Sequence, residues 1–211
     1  MASTRAVDGG VVASAAVALA AILMLAVTDL SPALGSIEWR AVATARAVPL
    51  KRLYVPLETA DGTVTSLGGT NGHVRIASLF YTHCPLMCPL TIAAIRDLDR
   101  ELTRDERARL RVLLVSLDPV RDAPAALAGM RAQQALQGAR WVLARTAPEL
   151  LPSIATAFGV TVTATAGGGI EHSPAVLLLD ENGAVLARTG NVSGDARFLA
   201  AVRSALGTHG S

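Results

Sequence analysis

Apolar runs alternate with amphipathic segments along most of the chain after residue 50. Three short runs rich in aliphatic and β-branched residues have the length of buried strands, at 73–81, 110–118 and 139–144. Four further segments are predicted to be helices, at 89–102, 122–136, 148–158 and 195–206. Residues 174–189 have the pattern of a β-hairpin, in which Asn182 and Gly183 supply the positive φ of the turn.

The alternation of strands and helices predicts βαβ units, and the terminal hairpin adds an antiparallel edge to the sheet. Both cysteines of the chain, Cys84 and Cys88, directly follow the first long strand. A central mixed sheet flanked by helices, with a cysteine pair at this point, is typical of an α/β, thioredoxin-like domain. We therefore predict one such domain over residues 51–206, followed by a short tail at 207–211.

The N-terminal part of the chain contains an uncharged apolar segment at residues 11–28. As a helix this segment would extend about 27 Å, enough to cross the hydrocarbon core of a bilayer. A signal peptide cleaved before Ser36 is the alternative, but the segment is longer than the usual apolar core of about 7–15 residues. We predict a transmembrane anchor at 11–28, preceded by a short tail at 1–10 and followed by a linker at 29–50.

Composition and charge give no indication of a nucleic-acid partner. The formal net charge is only +2, and aromatic residues make up 3% of the chain. Neither a strong electrostatic footprint nor a base-stacking surface is therefore expected. The basic residues around the apolar segment do not favour an external C-terminal domain, since Arg5 precedes the segment and Arg40 and Arg46 follow it, but long domains translocate largely regardless of charge.

The segment SLFYTHCPLMCPLTIAAIRDL, residues 78–98, places two thiols between a strand and a helix. A proline follows each cysteine, and the residue before a proline is biased away from the α region. We therefore expect Cys88 to lie outside the helix and Pro89 to occupy its first position. The free N–H groups and partial positive charge of the helix N-terminus favour the thiolate, which is the form that binds metals and attacks disulfides.

Three kinds of chemistry fit a C-x-x-x-C pair in such a loop: a structural disulfide, dithiol redox catalysis and metal binding. An isolated pair spaced like this makes the structural role the weakest of the three, and redox pairs usually have one residue fewer between the thiols. A metal site would use soft thiolates, which select Cu(I) or Zn, and would need further ligands from elsewhere in the chain.

Four histidines are candidates for such a ligand. His172 lies between a glycine-rich loop and a buried strand, and a loop entering such a strand can approach the loop that follows the first strand. His83 adjoins Cys84, but neighbouring side chains of an extended segment point apart. His73 precedes the first core strand and His209 lies in a polar tail, so neither is expected to be a ligand.

Five ordered motifs resemble those of the Sco/SenC family of copper proteins, named for synthesis of cytochrome c oxidase. FYTHCPLMCP at residues 80–89 resembles the family's F-T-x-C-P-x-x-C-P motif. The others are LETADGTVTSL at 57–67, VSLDPVRDAP at 115–124, ARWVLARTAPELLPSIATAFGV at 139–160 and GIEHSPAVLLLDENG at 169–183. Together they cover nearly all of the chain beyond the predicted linker.

The resemblance implies a thioredoxin-like domain held by its N-terminal helix in the cell inner membrane and facing the periplasm, or in the mitochondrial inner membrane and facing the intermembrane space. It implies one copper ion per domain, as Cu(I) or Cu(II). The family's two cysteine ligands and one histidine ligand fall on Cys84, Cys88 and His172. The family's acidic residue near the site falls on Asp118.

The resemblance also implies a function. In the family, copper passes to the dinuclear copper centre in subunit II of cytochrome c oxidase. The implied partners are that subunit, other copper chaperones and the membrane. On this interpretation the protein is a metallochaperone rather than an enzyme. Two alternatives stay open: a thiol–disulfide oxidoreductase that uses Cys84 and Cys88 to reduce the cysteines of that centre, and a copper or redox sensor.

The loop between the cysteines departs from the family pattern. Members often carry an acidic residue there, whereas this chain has Leu86 and Met87, which makes the loop more apolar. We expect Met87 to fill a gap in the packing rather than to bind copper. Ser173 and Pro174 stand where thioredoxin-like folds often place a cis-proline facing the cysteines.

Overall fold

The computed structural model of the protein describes residues 55–69, 72–165, 169–191 and 194–207. All of them belong to one unit of the chain, Glu38–Ser211. The predicted anchor at 11–28 and the predicted linker at 29–50 lie outside the described residues. Within the described ranges, no helix is both long enough and apolar enough to cross a membrane.

The described residues form strands and helices that largely alternate. The strands are β1 Pro56–Thr59, β2 Val64–Ser66, β3 Val74–Phe80, β4 Leu110–Ser116, β5 Trp141–Arg145, β6 Val162–Ala164, β7 Ile170–His172, β8 Val176–Leu179 and β9 Val185–Thr189. The helices are α1 Met87–Arg100, α2 Arg104–Arg109, α3 Pro124–Gln133, α4 Leu151–Phe158 and α5 Ala196–Gly207. A 3₁₀ turn at Pro148–Leu150 leads into α4.

Seven strands form one mixed sheet in the order β2-β1-β5-β4-β3-β8-β9. The central strands β3, β4 and β5 are parallel, with Val74 paired to Leu110 and Val112 paired to Trp141. β1 and β8 run antiparallel to this centre, one on each side. The carboxyl ends of the parallel strands therefore meet at one edge of the sheet, where the cysteine-bearing loop follows β3. A separate small sheet pairs β6 with β7.

Alternate side chains of the central strands enter two hydrophobic cores, because successive residues of a strand point to opposite faces. On β3, Ile76 and Phe80 belong to one core, whereas Ala77 and Leu79 belong to the other. All seven residues of β3 are buried, as expected for a strand covered on both faces. The first core also contains both cysteines, so the thiols lie at the end of a densely packed element.

The predicted α/β fold with a mixed sheet flanked by helices is confirmed, and every predicted strand and helix is present with small shifts at its ends. The sequence pattern misses the short helix α2. This helix begins with a capping box, in which the Glu106 N–H donates to Thr103 Oγ1 at 3.2 Å and the Thr103 N–H donates to Glu106 Oε2 at 2.7 Å. Because α2 buries none of its residues, apolar periodicity gives no signal for it.

The pattern also misses the hairpin of β6 and β7, which the sequence analysis describes only as a glycine-rich loop. His172 lies on β7 and pairs with Val162 of β6. Each strand has three residues that are half-buried or exposed, so neither an apolar run nor a long alternation marks them. His172 is consequently held by strand pairing rather than carried by a free loop.

The turn between β8 and β9 differs from the prediction in one detail. Only Gly183 of the Asn182–Gly183 pair has a positive φ, 77°. Asp180 organises this turn, because its Oδ1 accepts the N–H groups of Asn182 and Ala184, both at 2.8 Å.

Candidate metal centre

Helix α1 begins earlier than the sequence predicts, at Met87. Cys88 therefore lies in the first turn of the helix and Pro89 is its third residue, so the expectation that Cys88 precedes the helix is wrong. The N–H groups of a first helical turn have no acceptor within the helix, and a proline there loses no hydrogen bond. The bias against the α region before a proline is overcome by packing that leaves Cys88 only 1% exposed.

The sulfur of Cys84 caps this helix in place of an N-cap side chain. The N-cap residue Leu86 makes no side-chain hydrogen bond to the helix. Instead, the Cys88 N–H donates to Cys84 Sγ at 3.2 Å. Both cysteines are free thiols, with Cys84 9% exposed at the edge of the core and Cys88 beneath it. Two sulfurs are thus held together at one helix N-terminus.

The two thiols differ in acidity because they face different groups. Burial raises the pKa of Cys84, but hydrogen bonds from the Cys88 thiol, the Cys88 N–H and the Leu86 N–H, with a smaller contribution from the nearby Tyr81 hydroxyl, outweigh burial and bring this pKa below that of an ordinary cysteine. Burial raises the pKa of Cys88 well above its ordinary value, and the hydrogen bond to Cys84 and the negative charge of Asp122 add to the rise. Cys84 is therefore the more acidic thiol of the pair, and Cys88 stays neutral.

His172 approaches the thiols from the end of β7. Its Nε2 lies 4.0 Å from Cys88 Sγ, and its Nδ1 lies 3.1 Å from the carbonyl oxygen of Ser173. Because a carbonyl oxygen can only accept, Nδ1 carries the ring proton, which leaves the lone pair of Nε2 on the side of Cys88. Burial lowers the pKa of His172 below its usual value, so the ring is a neutral imidazole at neutral pH. The Ser173–Pro174 peptide beside it is trans.

Tyr81 connects the cysteine loop to the strand that carries His172. Its hydroxyl donates to the Ile170 carbonyl oxygen at 2.9 Å, and its ring lies edge-on to the imidazole with 6.4 Å between ring centroids. Burial raises the pKa of Tyr81, as does the nearby Cys84, so the hydroxyl remains a donor at neutral pH. Tyr81 is not among the site residues predicted from the sequence, although its place in the FYTHCP motif is a signal for it.

The donor atoms suit a soft or borderline metal ion, and the distance between two of them fits one ion. Bond lengths like those of zinc, about 2.3 Å to thiolate and about 2.0 Å to imidazole, allow two ligands of one ion to lie up to about 4.3 Å apart. The separation of 4.0 Å between Cys88 Sγ and His172 Nε2 is within this reach. In the part of the chain that the structure describes, no group of three or more His, Cys, Asp or Glu side chains is already close enough to hold a metal ion.

Comparison with known proteins identifies the family. A profile of the SCO1/SenC family matches residues 53–207, most of the chain. The chain belongs to the SCO1/SenC family. A SCO1 protein homolog of Bacillus subtilis (strain 168) is 31% identical to this chain over 84 residues, which are 40% of this chain and 43% of the homolog. The aligned part spans less than half of two curated relatives, 43% of one and 37% of the other.

Solved structures of the family share this fold. A SCO1/SenC family lipoprotein from Bacillus anthracis superposes with a TM-score of 0.65 and 20% identity, covering 77% of this chain and 97% of the lipoprotein. ScoI of Bradyrhizobium japonicum, solved with copper bound, superposes with a TM-score of 0.60 and 20% identity, covering 72% of this chain and 97% of ScoI. The predicted thioredoxin-like domain is therefore confirmed as a Sco-type domain.

In the segment that matches the family's S-x-D-P-x-R-D-T-P stretch, the structure ties Asp122 to the cysteine loop. Asp122 is 0% exposed. Its Oδ2 accepts the Thr82 N–H at 3.1 Å and the Ser116 hydroxyl at 2.6 Å, and its Oδ1 accepts the Thr82 hydroxyl. Asp118, which the sequence analysis names, accepts a hydrogen bond from the Arg121 guanidinium, and its N–H donates to Ser116 Oγ at 2.9 Å. Asp122 thus fixes the start of the cysteine loop, and a place for Asp118 beside the metal stays a prediction.

The other candidates from the sequence lie away from the sulfurs or outside the described residues. His83 Nδ1 lies 3.0 Å from Thr82 Oγ1 and 3.9 Å from Asp122 Oδ1, and its side chain is 59% exposed. This orientation agrees with the expectation that His83 and its neighbour Cys84 point apart. Met87 is partly buried and packs against the first core, and His209 lies outside the described ranges.

Replacing Asp122 by alanine is expected to lower the free energy of unfolding by about 2–4 kcal/mol, because the buried Ser116 hydroxyl and the half-buried donors of Thr82 lose their acceptor. Chemical denaturation of the purified chain measures this change. Asp97→Ala is the matched control, since the Asp97 side chain is 62% exposed and its removal should change stability by no more than about 0.5 kcal/mol. Equal losses in the two variants would contradict the role given to Asp122.

Proposed function

We propose that the protein is a membrane-anchored copper chaperone that binds one Cu(I) or Cu(II) through Cys84, Cys88 and His172. Its client is the dinuclear copper centre of cytochrome c oxidase subunit II. The observation that carries the proposal is the approach of His172 Nε2 to Cys88 Sγ, 4.0 Å apart across 84 residues of sequence. An imidazole lone pair facing a thiol has a clear role in binding copper, whereas dithiol exchange needs only the two sulfurs and access to them.

The donor set suits copper in both oxidation states, because thiolates select Cu(I) and imidazole suits Cu(I) and Cu(II). Three protein ligands leave room for an incoming ligand of the client, so transfer can proceed by exchange of one bond at a time. Cys84, whose pKa is lowered, offers a thiolate readily, whereas Cys88 must lose its proton as copper binds. Copper affinity should consequently fall as the pH is lowered.

Family membership supports copper as the cargo. ScoI of Bradyrhizobium japonicum has been solved with copper bound, and this chain shares its fold over 72% of its length. The motif that carries the two cysteines, FYTHCPLMCP, lies within the part of the chain that the family profile matches. The replacement of an acidic residue by Leu86 and Met87 leaves both sulfurs in place.

The second candidate function is a thiol–disulfide oxidoreductase, and the difference in acidity between the thiols favours it. Thiol–disulfide exchange uses an exposed thiolate to attack and a second thiol to resolve the mixed disulfide. Cys84, the more acidic and more exposed thiol, fits the first role, and Cys88 fits the second. A site of this kind would reduce the cysteines of the client's copper centre before copper arrives.

The proposed location is the cell inner membrane, with the apolar segment 11–28 as a single-pass anchor and the domain in the periplasm, or the equivalent side of the mitochondrial inner membrane. Cytosolic thiol buffers do not compete for copper on that side. A tether also raises the effective concentration of the chaperone near a membrane-bound acceptor. The proposed partners are subunit II of cytochrome c oxidase and the copper chaperones that load this site, with no nucleic acid.

A reporter fused to the C-terminus tests this location. An alkaline phosphatase fusion, which is active only outside the cytoplasm, should be active and should sediment with membranes. Activity of a reporter that works only in the cytoplasm would overturn the topology. A mature protein that begins at Ser36 would remove the anchor.

Anaerobic copper titration of the full chain in detergent tests copper binding directly. We expect the reduced protein to bind one Cu(I) per chain. As copper saturates the site, both thiols should stop reacting with a thiol-modifying reagent. His83→Ala should bind the same amount, because His83 is exposed and faces Asp122. No copper uptake by the reduced protein, or a requirement for His83, would refute the proposed site.

A further inference from the structure

Three basic side chains line a cleft at the end of β3 opposite the cysteines. The cleft has a volume of about 200 Å³, and His73, Arg75 and Arg111 line it together with Thr65 and apolar residues. None of the described residues that line it is acidic. His73 and Arg75 lie at the start of β3, whereas the cysteine loop follows its end, so a strand of about 20 Å separates the cleft from the thiols.

Arg75 is a buried cation in a strand whose other residues are uncharged. It is 6% exposed, and its guanidinium donates to the carbonyl oxygens of Ser66 at 3.3 Å, Leu67 at 3.4 Å and Gly69. These bonds use three of the five N–H donors of the group. Buried arginines are usually paired with a carboxylate, but these partners are neutral carbonyl oxygens. Among the described residues, the hydrogen-bond partners of the Arg75 guanidinium are therefore backbone dipoles and not a carboxylate.

Arg111 brings a second guanidinium to the same cleft. Its Nη2 lies 3.2 Å from His73 Nε2, and its Nη1 donates to the carbonyl oxygens of Ala108 at 2.8 Å and Leu110 at 3.1 Å. Since a guanidinium can only donate, His73 Nε2 accepts and the ring is neutral. Burial and the nearby Arg111 lower the pKa of Arg75 to about 10, and burial together with both arginines lowers the pKa of His73. The basic groups of the cleft therefore repel one another.

We propose that this cleft is an oxyanion site that takes a phosphate group, either free phosphate or the headgroup of a phospholipid. The planar guanidinium groups of Arg75 and Arg111 match the oxygen pairs of phosphate, and each has N–H donors beyond those that bond to the described residues. A bound phosphate anion, a dianion as free phosphate or a monoanion as a phosphodiester headgroup, reduces the repulsion between the two cations and lets His73 become a donor on protonation. A water molecule takes about 30 Å³ in the liquid, so a cleft of about 200 Å³ has room for a tetrahedral oxyanion.

The position of the cleft separates this site from copper binding. Phosphate at the start of β3 leaves the cysteines and His172 free at the other edge of the sheet. A phospholipid headgroup bound there would turn the cysteine edge away from the bilayer, toward a partner in the aqueous phase. Free phosphate and a lipid headgroup would be recognised by the same side chains, but only the lipid headgroup would orient the domain relative to the membrane.

Phosphate titration of the full chain in a neutral detergent, followed by NMR of the histidine ring signals, tests the proposal. At constant ionic strength, inorganic phosphate should move the His73 signal along a saturating curve, whereas chloride should not. His73→Gln identifies the signal. Short-chain phosphatidylglycerol, titrated into the same detergent solution, is the lipid arm. Saturation by lipid at a lower concentration than by phosphate assigns the headgroup, and saturation by phosphate alone assigns the free ion.

Arg111→Gln should weaken phosphate binding by about tenfold or more, since it removes charge-assisted hydrogen bonds. Arg131→Gln is the control matched in charge, because Arg131 pairs with Asp61 away from the cleft and its loss should leave binding unchanged. Arg75→Gln is less suitable, since Arg75 also holds the segment that ends at Gly69. As a second measurement, phosphate should raise the melting temperature of the wild type and of Arg131→Gln but not that of Arg111→Gln. If the melting temperatures of the wild type, Arg131→Gln and Arg111→Gln all rose linearly with phosphate concentration and with equal slope, phosphate would act by general screening of charge. This result would overturn the proposal.

Discussion

Cys84→Ser and Cys88→Ser should each lower the affinity for Cu(I) by about 100- to 1,000-fold. Structural metal sites with four ligands gain about 10–16 kcal/mol, so one ligand accounts for roughly 2.5–4 kcal/mol. Serine oxygen is a hard donor that soft Cu(I) does not select. Competition with a chromophoric Cu(I) chelator under reducing, anaerobic conditions measures the affinities of the wild type and both variants.

Met87→Leu is the matched control for these variants, because it removes the sulfur that lies between the cysteines and keeps the volume of the side chain. Met87 is partly buried against the first core, so we expect this variant to bind copper as the wild type does. Circular dichroism should show that all variants are folded. Wild-type affinity in either cysteine variant would mean that the thiols are not the copper ligands.

His172→Ala should separate copper delivery from disulfide reduction. Removal of one of three ligands should lower copper affinity by about 100-fold or more and should affect Cu(II) more than Cu(I), since two thiolates alone can hold Cu(I). In cells that lack the native protein, this variant should fail to restore cytochrome c oxidase activity at limiting copper. Excess copper should restore the activity by mass action, which it cannot do for missing reducing equivalents.

The same variant should reduce a test disulfide at nearly the wild-type rate, because its two thiols remain at the start of α1. His172→Gln keeps most of the side-chain volume against Tyr81 and controls for a packing defect. His83→Ala should support full oxidase activity at limiting copper. If His172→Ala also supported full activity there while Cys84→Ser or Cys88→Ser did not, delivery would be abandoned in favour of the reductase.

The sequence alone determines the class of fold and the sulfur half of the site. Buried strands such as β3 and β4 are recognisable in the sequence as apolar runs, because a strand covered on both faces has no solvent-exposed face that would carry polar residues. Cys84 and Cys88 lie four positions apart after such a run, so their proximity to each other follows from local geometry. The motif FYTHCPLMCP together with four others also indicated the family that the profile of residues 53–207 confirms.

Sequence-based prediction of the start of α1 was wrong because a packing contact outweighs a backbone preference there. The α region is modestly disfavoured for a residue that precedes proline, and for this reason Cys88 was predicted to lie before the helix. Burial of Cys88 in the first core and the N–H bond to Cys84 Sγ decide otherwise, and α1 begins at Met87. Similarly, α2 and the strand pair β6–β7 were not predicted, because their residues are exposed or only half-buried and therefore form no periodic pattern of apolar residues.

Only the tertiary structure decided which distant groups meet. His172 reaches Cys88 because β7 pairs with β6 and Tyr81 bonds to Ile170, contacts between residues up to 89 positions apart. The sheet likewise brings Asp122 to Thr82, although the sequence pointed to Asp118 in the same motif, and gathers Arg75, Arg111 and His73 at its other end. Hydrophobic periodicity does not predict such long-range contacts, because they depend on how the strands pair and not on the conformational preference of any one segment.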